Sequence, residues 1–113
     1  MRISVLAAGF MVSVLAAPSA WAETDFEAIM HGKDLVEANC SRCHGVGLKD
    51  KSSEAKAPVF RELAKRYPID ALEEAFAEGI VTGHPGMPEF EATPKQIGDI
   101  VAYISSIQDE QSQ

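Results

Sequence analysis

Two cysteines and a histidine lie close together in the chain, as Cys40, Cys43 and His44. Two thiols at this spacing can each add to one of the two vinyl groups on adjacent pyrroles of a haem. A histidine directly after the second thiol can then bind the iron from one face. The pattern therefore predicts one covalently attached haem c, with His44 as an axial iron ligand.

Three other kinds of site use cysteines in similar patterns. A dithiol of the thioredoxin type would follow a strand, and no strand pattern precedes Cys40. A structural zinc site needs four ligands, and beyond residue 22 the chain offers two cysteines and the histidines His31, His44 and His84. A disulfide suits an exported protein, but closing so short a loop contributes little stability. We therefore favour haem attachment.

A second axial ligand could come from Met30, His31, His84 or Met87. Met30 and His31 lie shortly before the cysteines on a predicted helix, where reaching the opposite haem face is difficult. Met87 lies much further along the chain, in a segment rich in proline and glycine that can fold over that face. We predict Met87 as the ligand, with His84 as the rival; a thioether raises the reduction potential, whereas a second imidazole would lower it.

The N-terminus has the three parts of a secretory leader. Arg2 precedes an uncharged run over residues 3–22, which contains Pro18 and ends in Ala20-Trp21-Ala22. We predict a signal peptide at residues 1–22, cleaved after Ala22, and export to the periplasm. An uncleaved anchor is the alternative, because such a run could just span a bilayer.

Size and charge limit what the remaining chain can be. Of the 113 residues, 91 follow the predicted leader, enough for one domain at 23–113 and too few for a multidomain enzyme. Residues 23–66 contain 8 acids and 8 bases, whereas residues 67–113 contain 9 acids and one base, Lys95. A nucleic-acid partner is excluded because phosphate binding needs a basic surface.

The apolar pattern predicts an all-α domain without strands. Pro68 should end the second helix, an Asp70 and Glu73 pair should cap the third, and Gly79 should end it. Thr93 and Pro94 start the last helix, and a helix through residues 82–94 is excluded. The predicted helices are residues 25–39, 59–67, about 70–79 and 94–108.

These features resemble the small bacterial class I c-type cytochromes, over about residues 25–108. Besides the cysteine and histidine motif, the family has a glycine and an apolar residue on its first helix, matched by Gly32 and Val36. It has an apolar residue and an aromatic on its last helix, matched by Ile100 and Tyr103. The resemblance implies a cytochrome c fold of three to four helices around one haem, with the N- and C-terminal helices crossing closely.

The resemblance also implies further site residues. In the family, a proline carbonyl accepts the Nδ1 proton of the axial histidine, and Pro58 matches that proline. The segment Gly86-Met87-Pro88 matches the one that carries the axial methionine. Arg66 and Tyr67 are chemically suitable contacts for the haem propionates.

The expected function is one-electron transfer between larger redox proteins, without enzymatic activity. An iron with both axial positions filled by protein has no position for a substrate. We expect a monomer without membrane insertion after cleavage, with transient docking at the exposed haem edge. The alternatives are a dedicated cytochrome subunit of a periplasmic dehydrogenase, or a haem sensor or enzyme if Met87 is not a stable ligand. The expected edge residues are Arg42, Val46, Lys49, Lys51 and Lys56.

Overall fold

The computed structural model describes residues 9–16, 20–79 and 86–108. These ranges contain helices and loops and no strand, which confirms the all-α prediction. In the same ranges, no helix has the length and apolar character needed to cross a membrane. The elements are α1 (Ala20–Asn39), a 3-10 helix (Phe60–Lys65), α2 (Ile69–Glu78) and α3 (Pro94–Ser106).

Helix α3 contributes its apolar face to the hydrophobic core. Its apolar residues recur every three or four positions, so they share one side of the helix. Ile100 and Ile104 of this face are fully enclosed, as is Val36 of α1. The other buried apolar residues are Val46, Phe60, Leu63, Phe76, Ile97, Tyr103 and Ile107.

Helices α1 and α3 cross at Gly32. A Cβ atom at this position would lie 1.9 Å from the Asp99 carbonyl oxygen and 3.0 Å from the Ile100 nitrogen. No side chain fits in that space, so glycine is what allows the two backbones to touch. The predicted close crossing is confirmed.

Helix α1 begins five residues earlier than predicted. The residues from Ala20 onward include good helix formers and no proline, so the helix continues through the predicted cleavage point after Ala22. Two apolar residues of this helix face away from the core, because the Phe26 and Met30 side chains are 63% and 39% exposed. The predicted leader cleavage stays a prediction.

The two middle helices differ from the prediction at their starts. The second is a 3-10 helix of six residues, and Pro68 directly after Tyr67 disfavours a longer α-helical continuation. The predicted capping pair of α2 was wrong: Pro68 is the N-cap and no side chain caps the helix. The Asp70 carboxylate instead accepts a hydrogen bond from the adjacent Ala71 amide at 3.1 Å. Gly79 ends α2 with a φ of 82°, as predicted.

The start of α3 agrees with the prediction. The Thr93 hydroxyl accepts from the Gln96 amide at 3.2 Å, and the Gln96 side chain accepts from the Thr93 amide at 2.9 Å. This reciprocal pair forms a capping box, with Pro94 at the first helical position. The helix ends at Ser106 rather than at the predicted residue 108, and the segment before it, residues 86–93, contains no helix.

A buried carboxylate links the two crossing helices. Asp99 of α3 is 6% exposed, and its Oδ2 accepts from His31 Nδ1 at 2.6 Å and from Lys95 Nζ at 2.7 Å. Burial alone would raise the pKa of Asp99, but the hydrogen bonds and charges of His31 and Lys95 outweigh it, so the pKa lies below its usual value. The charged form of Asp99 therefore stabilises the folded state.

Replacing Gly32 with alanine should destabilise the protein strongly. The new methyl group would overlap the Asp99 carbonyl, so the helices must separate, at a cost of about 3 kcal/mol or more. We expect little holoprotein to accumulate and a much lower melting temperature, measured by circular dichroism.

Gly98 provides the matched control for this substitution, because a Cβ on Gly98 of α3 would meet nothing within 4 Å. Gly98→Ala should stabilise the helix by about 0.5–1 kcal/mol. Equal yields and melting temperatures for the two variants would contradict the role of Gly32.

Replacing Asp99 with asparagine should reduce the stability in a pH-dependent way. Because the folded pKa of Asp99 is below the unfolded value of about 3.9, its stabilising effect is complete above that value and is lost as the pH falls through the folded pKa. Melting temperatures from pH 7 to pH 3 should show the largest gap between wild type and Asp99→Asn above about pH 5. A gap of constant size across this range would contradict the assignment.

Candidate functional site

The cysteines and the histidine lie in a tight turn that continues from the end of α1. The Cys40 amide donates to the Val36 carbonyl at 2.8 Å, and the amides of Cys43 and His44 both donate to the Cys40 carbonyl, at 3.2 and 3.0 Å. These bonds wind the motif into roughly one turn. The helix crossing at Gly32 therefore fixes where the motif starts.

Both thiols are free, and Cys40 is half-buried against the core. Burial raises the pKa of the Cys40 thiol to about 11, so it is protonated at neutral pH. A dithiol oxidoreductase needs the opposite, a thiol whose pKa is lowered to give a thiolate. In the ranges described above, no group of three or more histidine, cysteine or acidic side chains is arranged to hold a metal ion.

The His44 imidazole is held by the segment just before the 3-10 helix. Its Nδ1 lies 2.8 Å from the Pro58 carbonyl oxygen. Because a carbonyl can only accept, Nδ1 carries the proton, and Nε2 keeps a lone pair that can bind a metal. The Phe60 ring packs against the imidazole with its centroid at 5.0 Å and the planes tilted by 48°.

Hydrogen bonds from within the loop and from α3 stabilise the loop after the motif. The Asp50 carboxylate accepts from the Val46 and Gly47 amides, at 2.9 and 2.7 Å. The Tyr103 hydroxyl of α3 donates to the Val46 carbonyl at 2.6 Å. Val46 itself packs in the hydrophobic core at 4% exposure, so the prediction that it lies on an exposed docking edge was wrong. Its neighbours Lys49 and Lys51 are exposed.

Met87 lies in the helix-free segment before α3 and is half-buried. Gly86 precedes it with a φ of 92°, a conformation that residues with a side chain rarely adopt, and Pro88 follows it. The rival ligand His84 lies outside the described residues. The structure thus gives no comparison of the two candidates, and ligation by Met87 stays a prediction.

The suggested propionate contacts, Arg66 and Tyr67, follow the 3-10 helix directly. Their backbone amides both donate to the Leu63 carbonyl, at 3.0 Å. Both side chains are exposed, with Tyr67 at 40%. Their contact with a propionate stays a prediction.

Three residues that help to build the site were missed from the sequence. Phe60 was expected only as an apolar residue of a helix, and its contact with His44 links positions 16 apart. Asp50, an acid in a glycine-containing loop, had a weak signal, since aspartate often binds nearby backbone amides. Gln108 had none, because its side chain bonds to Phe60 and Ala64, far away in sequence.

The chemistry of these groups suits a covalently attached haem. The thiols of Cys40 and Cys43 are both unpaired, and Cys40 lies at the edge of the core, where an attached apolar ring would continue it. His44 has one nitrogen engaged by Pro58 and the other available for iron. The donor set therefore fits the group.

Comparisons with known proteins agree with this fit. The family model described as cytochrome c oxidase, cbb3-type, subunit III matches residues 27–104. Cytochrome c-552 from Bradyrhizobium diazoefficiens is 36% identical over 77 residues, which are 68% of this chain and 72% of that protein. No solved structure matches the chain. The chain belongs to this cytochrome c family, as a small monohaem c-type cytochrome that carries covalently bound haem c and its iron and acts in electron transfer.

Proposed function

We propose that the protein is a periplasmic one-electron carrier with the haem joined to Cys40 and Cys43 and the iron held by His44 and Met87. The observation that carries this proposal is the 2.8 Å hydrogen bond from His44 Nδ1 to the Pro58 carbonyl. It fixes the tautomer, orients the ring and makes Nε2 a stronger donor. The predicted leader at residues 1–22 supports export.

The surroundings of Met87 support its role as the second ligand. Pro88 fixes the backbone directly after it, and Gly86 directly before it adopts a φ of 92°, which a residue with a side chain rarely adopts. Each backbone angle that is already fixed reduces the entropy lost when the thioether binds. A methionine on a mobile loop would be displaced more easily.

Filling both axial positions decides the type of chemistry. The haem iron supplies a reversible one-electron couple, Fe(II)/Fe(III), when it is bound. His44 and Met87 would leave no position for dioxygen or peroxide. The protein would then carry electrons without transforming a substrate.

Redox partners should dock where the thioethers reach the surface. The exposed cationic side chains within the motif and in the loop after it are Arg42, Lys49, Lys51 and Lys56. The same stretch contains two acids: Asp50, whose carboxylate accepts from two backbone amides, and the exposed Glu54, so four bases stand against two acids. The local charge is therefore more positive than the formal net charge of −7 for the chain suggests. A partner with an acidic surface fits this edge, through a small and short-lived interface.

A role as a subunit of a larger redox complex is the second candidate. The matching family model is described as an oxidase subunit, which favours this candidate. A stable complex in native purification would support the subunit role. A holoprotein that migrates as a free monomer would support the shuttle.

Replacing Met87 with alanine should remove the second ligand. The ferric protein should lose the weak far-red band of thioether-to-iron ligation and become high-spin or bind water, and its reduction potential should fall. Visible spectroscopy and potentiometry measure both effects.

Met30 of α1, with its 39% exposed side chain, is the matched control for Met87. Met30→Ala should keep the far-red band and the potential. A band that persists in Met87→Ala would contradict ligation by Met87, and a band lost in Met30→Ala would reassign the ligand.

The local positive charge can be measured with a small anionic oxidant. Oxidation of the ferrous protein by hexacyanoferrate(III) should slow about threefold between low and moderate ionic strength, because a cationic edge attracts the anion. Lys49→Gln with Lys51→Gln should weaken this dependence, whereas Lys33→Gln on α1 should not. A rate that rises with salt would indicate that the net negative charge governs approach.

A further inference from the structure

The side chain of Gln108 links the end of α3 to the 3-10 helix. Its Nε2 donates to the carbonyls of Phe60 and Ile104, each at 2.7 Å, and its Oε1 accepts from the Ala64 amide at 2.8 Å. Both amide protons and the amide oxygen are therefore used. The link connects positions 44 and 48 residues apart in the sequence.

Gln108 binds the same segment that contacts His44. The Pro58 carbonyl accepts a hydrogen bond from the imidazole Nδ1, and the Phe60 ring packs against the imidazole in a tilted contact with the centroids 5.0 Å apart. The Phe60 amide also donates to the Gly45 carbonyl at 2.8 Å, next to His44 itself. Residues 58–60 thus contact the histidine and its neighbour in three ways.

Gln108 forms its hydrogen bonds to Phe60, within this segment, and to Ala64, just after it. Phe60 receives the Gln108 hydrogen bond on its carbonyl, while its amide and ring hold the His44 side of the site. Ala64, one turn later, is held by the same amide group. A rotation of the 3-10 helix that turned Phe60 away from the imidazole would have to break both bonds.

We propose that Gln108 is a positioning residue for His44: it holds the 3-10 helix so that Phe60 and Pro58 keep the imidazole in one orientation. The inference rests on the proposed ligation of iron by His44. Gln108 acts through Phe60 and Pro58 and does not itself contact the imidazole. Its effect reaches the iron because the orientation and donor strength of an axial imidazole tune the metal.

Two substitutions test whether Gln108 positions His44 or only stabilises the end of α3. Gln108→Met keeps the length and the apolar stem but loses all three hydrogen bonds. Gln108→Glu keeps an acceptor for Ala64 but turns a second acceptor towards the carbonyls of Phe60 and Ile104, so it should disturb the 3-10 helix more. If one variant fails to accumulate, the other still gives the measurement.

Ser106→Ala is the matched control. It removes a 2.6 Å hydrogen bond from the Ser106 hydroxyl to the Tyr103 carbonyl, at the same end of α3, and leaves the Phe60 contacts unchanged.

The measurement is proton NMR of the ferric holoprotein, read at the His44 ring and at the haem methyl groups. Both Gln108 variants should change the spread of the methyl shifts and speed exchange of the His44 Nδ1 proton about tenfold, as the loss of one buried hydrogen bond would. Ser106→Ala should match the wild type in both. A melting curve for each variant records any general loss of stability.

The outcomes distinguish this inference from the proposed function. The Gln108 variants could have lower melting temperatures but unchanged methyl shifts and unchanged Nδ1 exchange. That result would show that Gln108 only stabilises the fold, and it would overturn the inference while His44 remained a ligand. Absence of hyperfine-shifted His44 ring signals in the wild type would overturn the ligation itself and the inference with it. Altered methyl shifts in the Gln108 variants alone would support positioning.

Discussion

The contact between the backbones of α1 and α3 at Gly32 is the constraint on which the rest of the structure depends. The haem-binding motif starts at the last turn of α1, so the crossing sets the motif's position relative to α3. Helix α3 and the residues just after it then contact the parts that follow. Tyr103 of α3 binds the loop after the motif through the Val46 carbonyl, and Gln108, two residues after the helix ends, binds the 3-10 helix. A helix of 13 residues and the turn after it thus contact segments from three parts of the chain.

The site is a consequence of that arrangement rather than of the motif alone. The turn that contains Cys40, Cys43 and His44 does not by itself fix the imidazole. The Pro58 carbonyl accepts from one ring nitrogen, and the Phe60 ring packs beside the imidazole with the two centroids 5.0 Å apart. The other ring nitrogen, which we propose as the iron ligand, is thereby held in one direction before the iron binds.

Features with a local cause could be predicted from the sequence, and features made by distant contacts could not. The Thr93 capping box and the Gly79 helix end each depend on residues within four positions of one another. The predicted Asp70 cap failed because Pro68 already occupied the N-cap position, a competition between neighbours. Val46 was misplaced because it packs in a core built from distant segments, and its carbonyl accepts from the hydroxyl of Tyr103, 57 residues away; no local pattern predicts such contacts.

The helix crossing at Gly32 also brings a buried carboxylate into the interface between α1 and α3. The resemblance singled out Gly32, Val36, Ile100 and Tyr103, but it did not indicate that Asp99 would be buried beside them. The Asp99 backbone lies at the crossing, and its side chain is buried in the same interface, where Oδ2 accepts from His31 of α1. A buried carboxylate needs hydrogen-bond donors, and His31 of α1 and Lys95 of α3 provide them at 2.6 and 2.7 Å. The interface between the two crossing helices therefore also contains a polar cluster that lies outside the haem-binding motif.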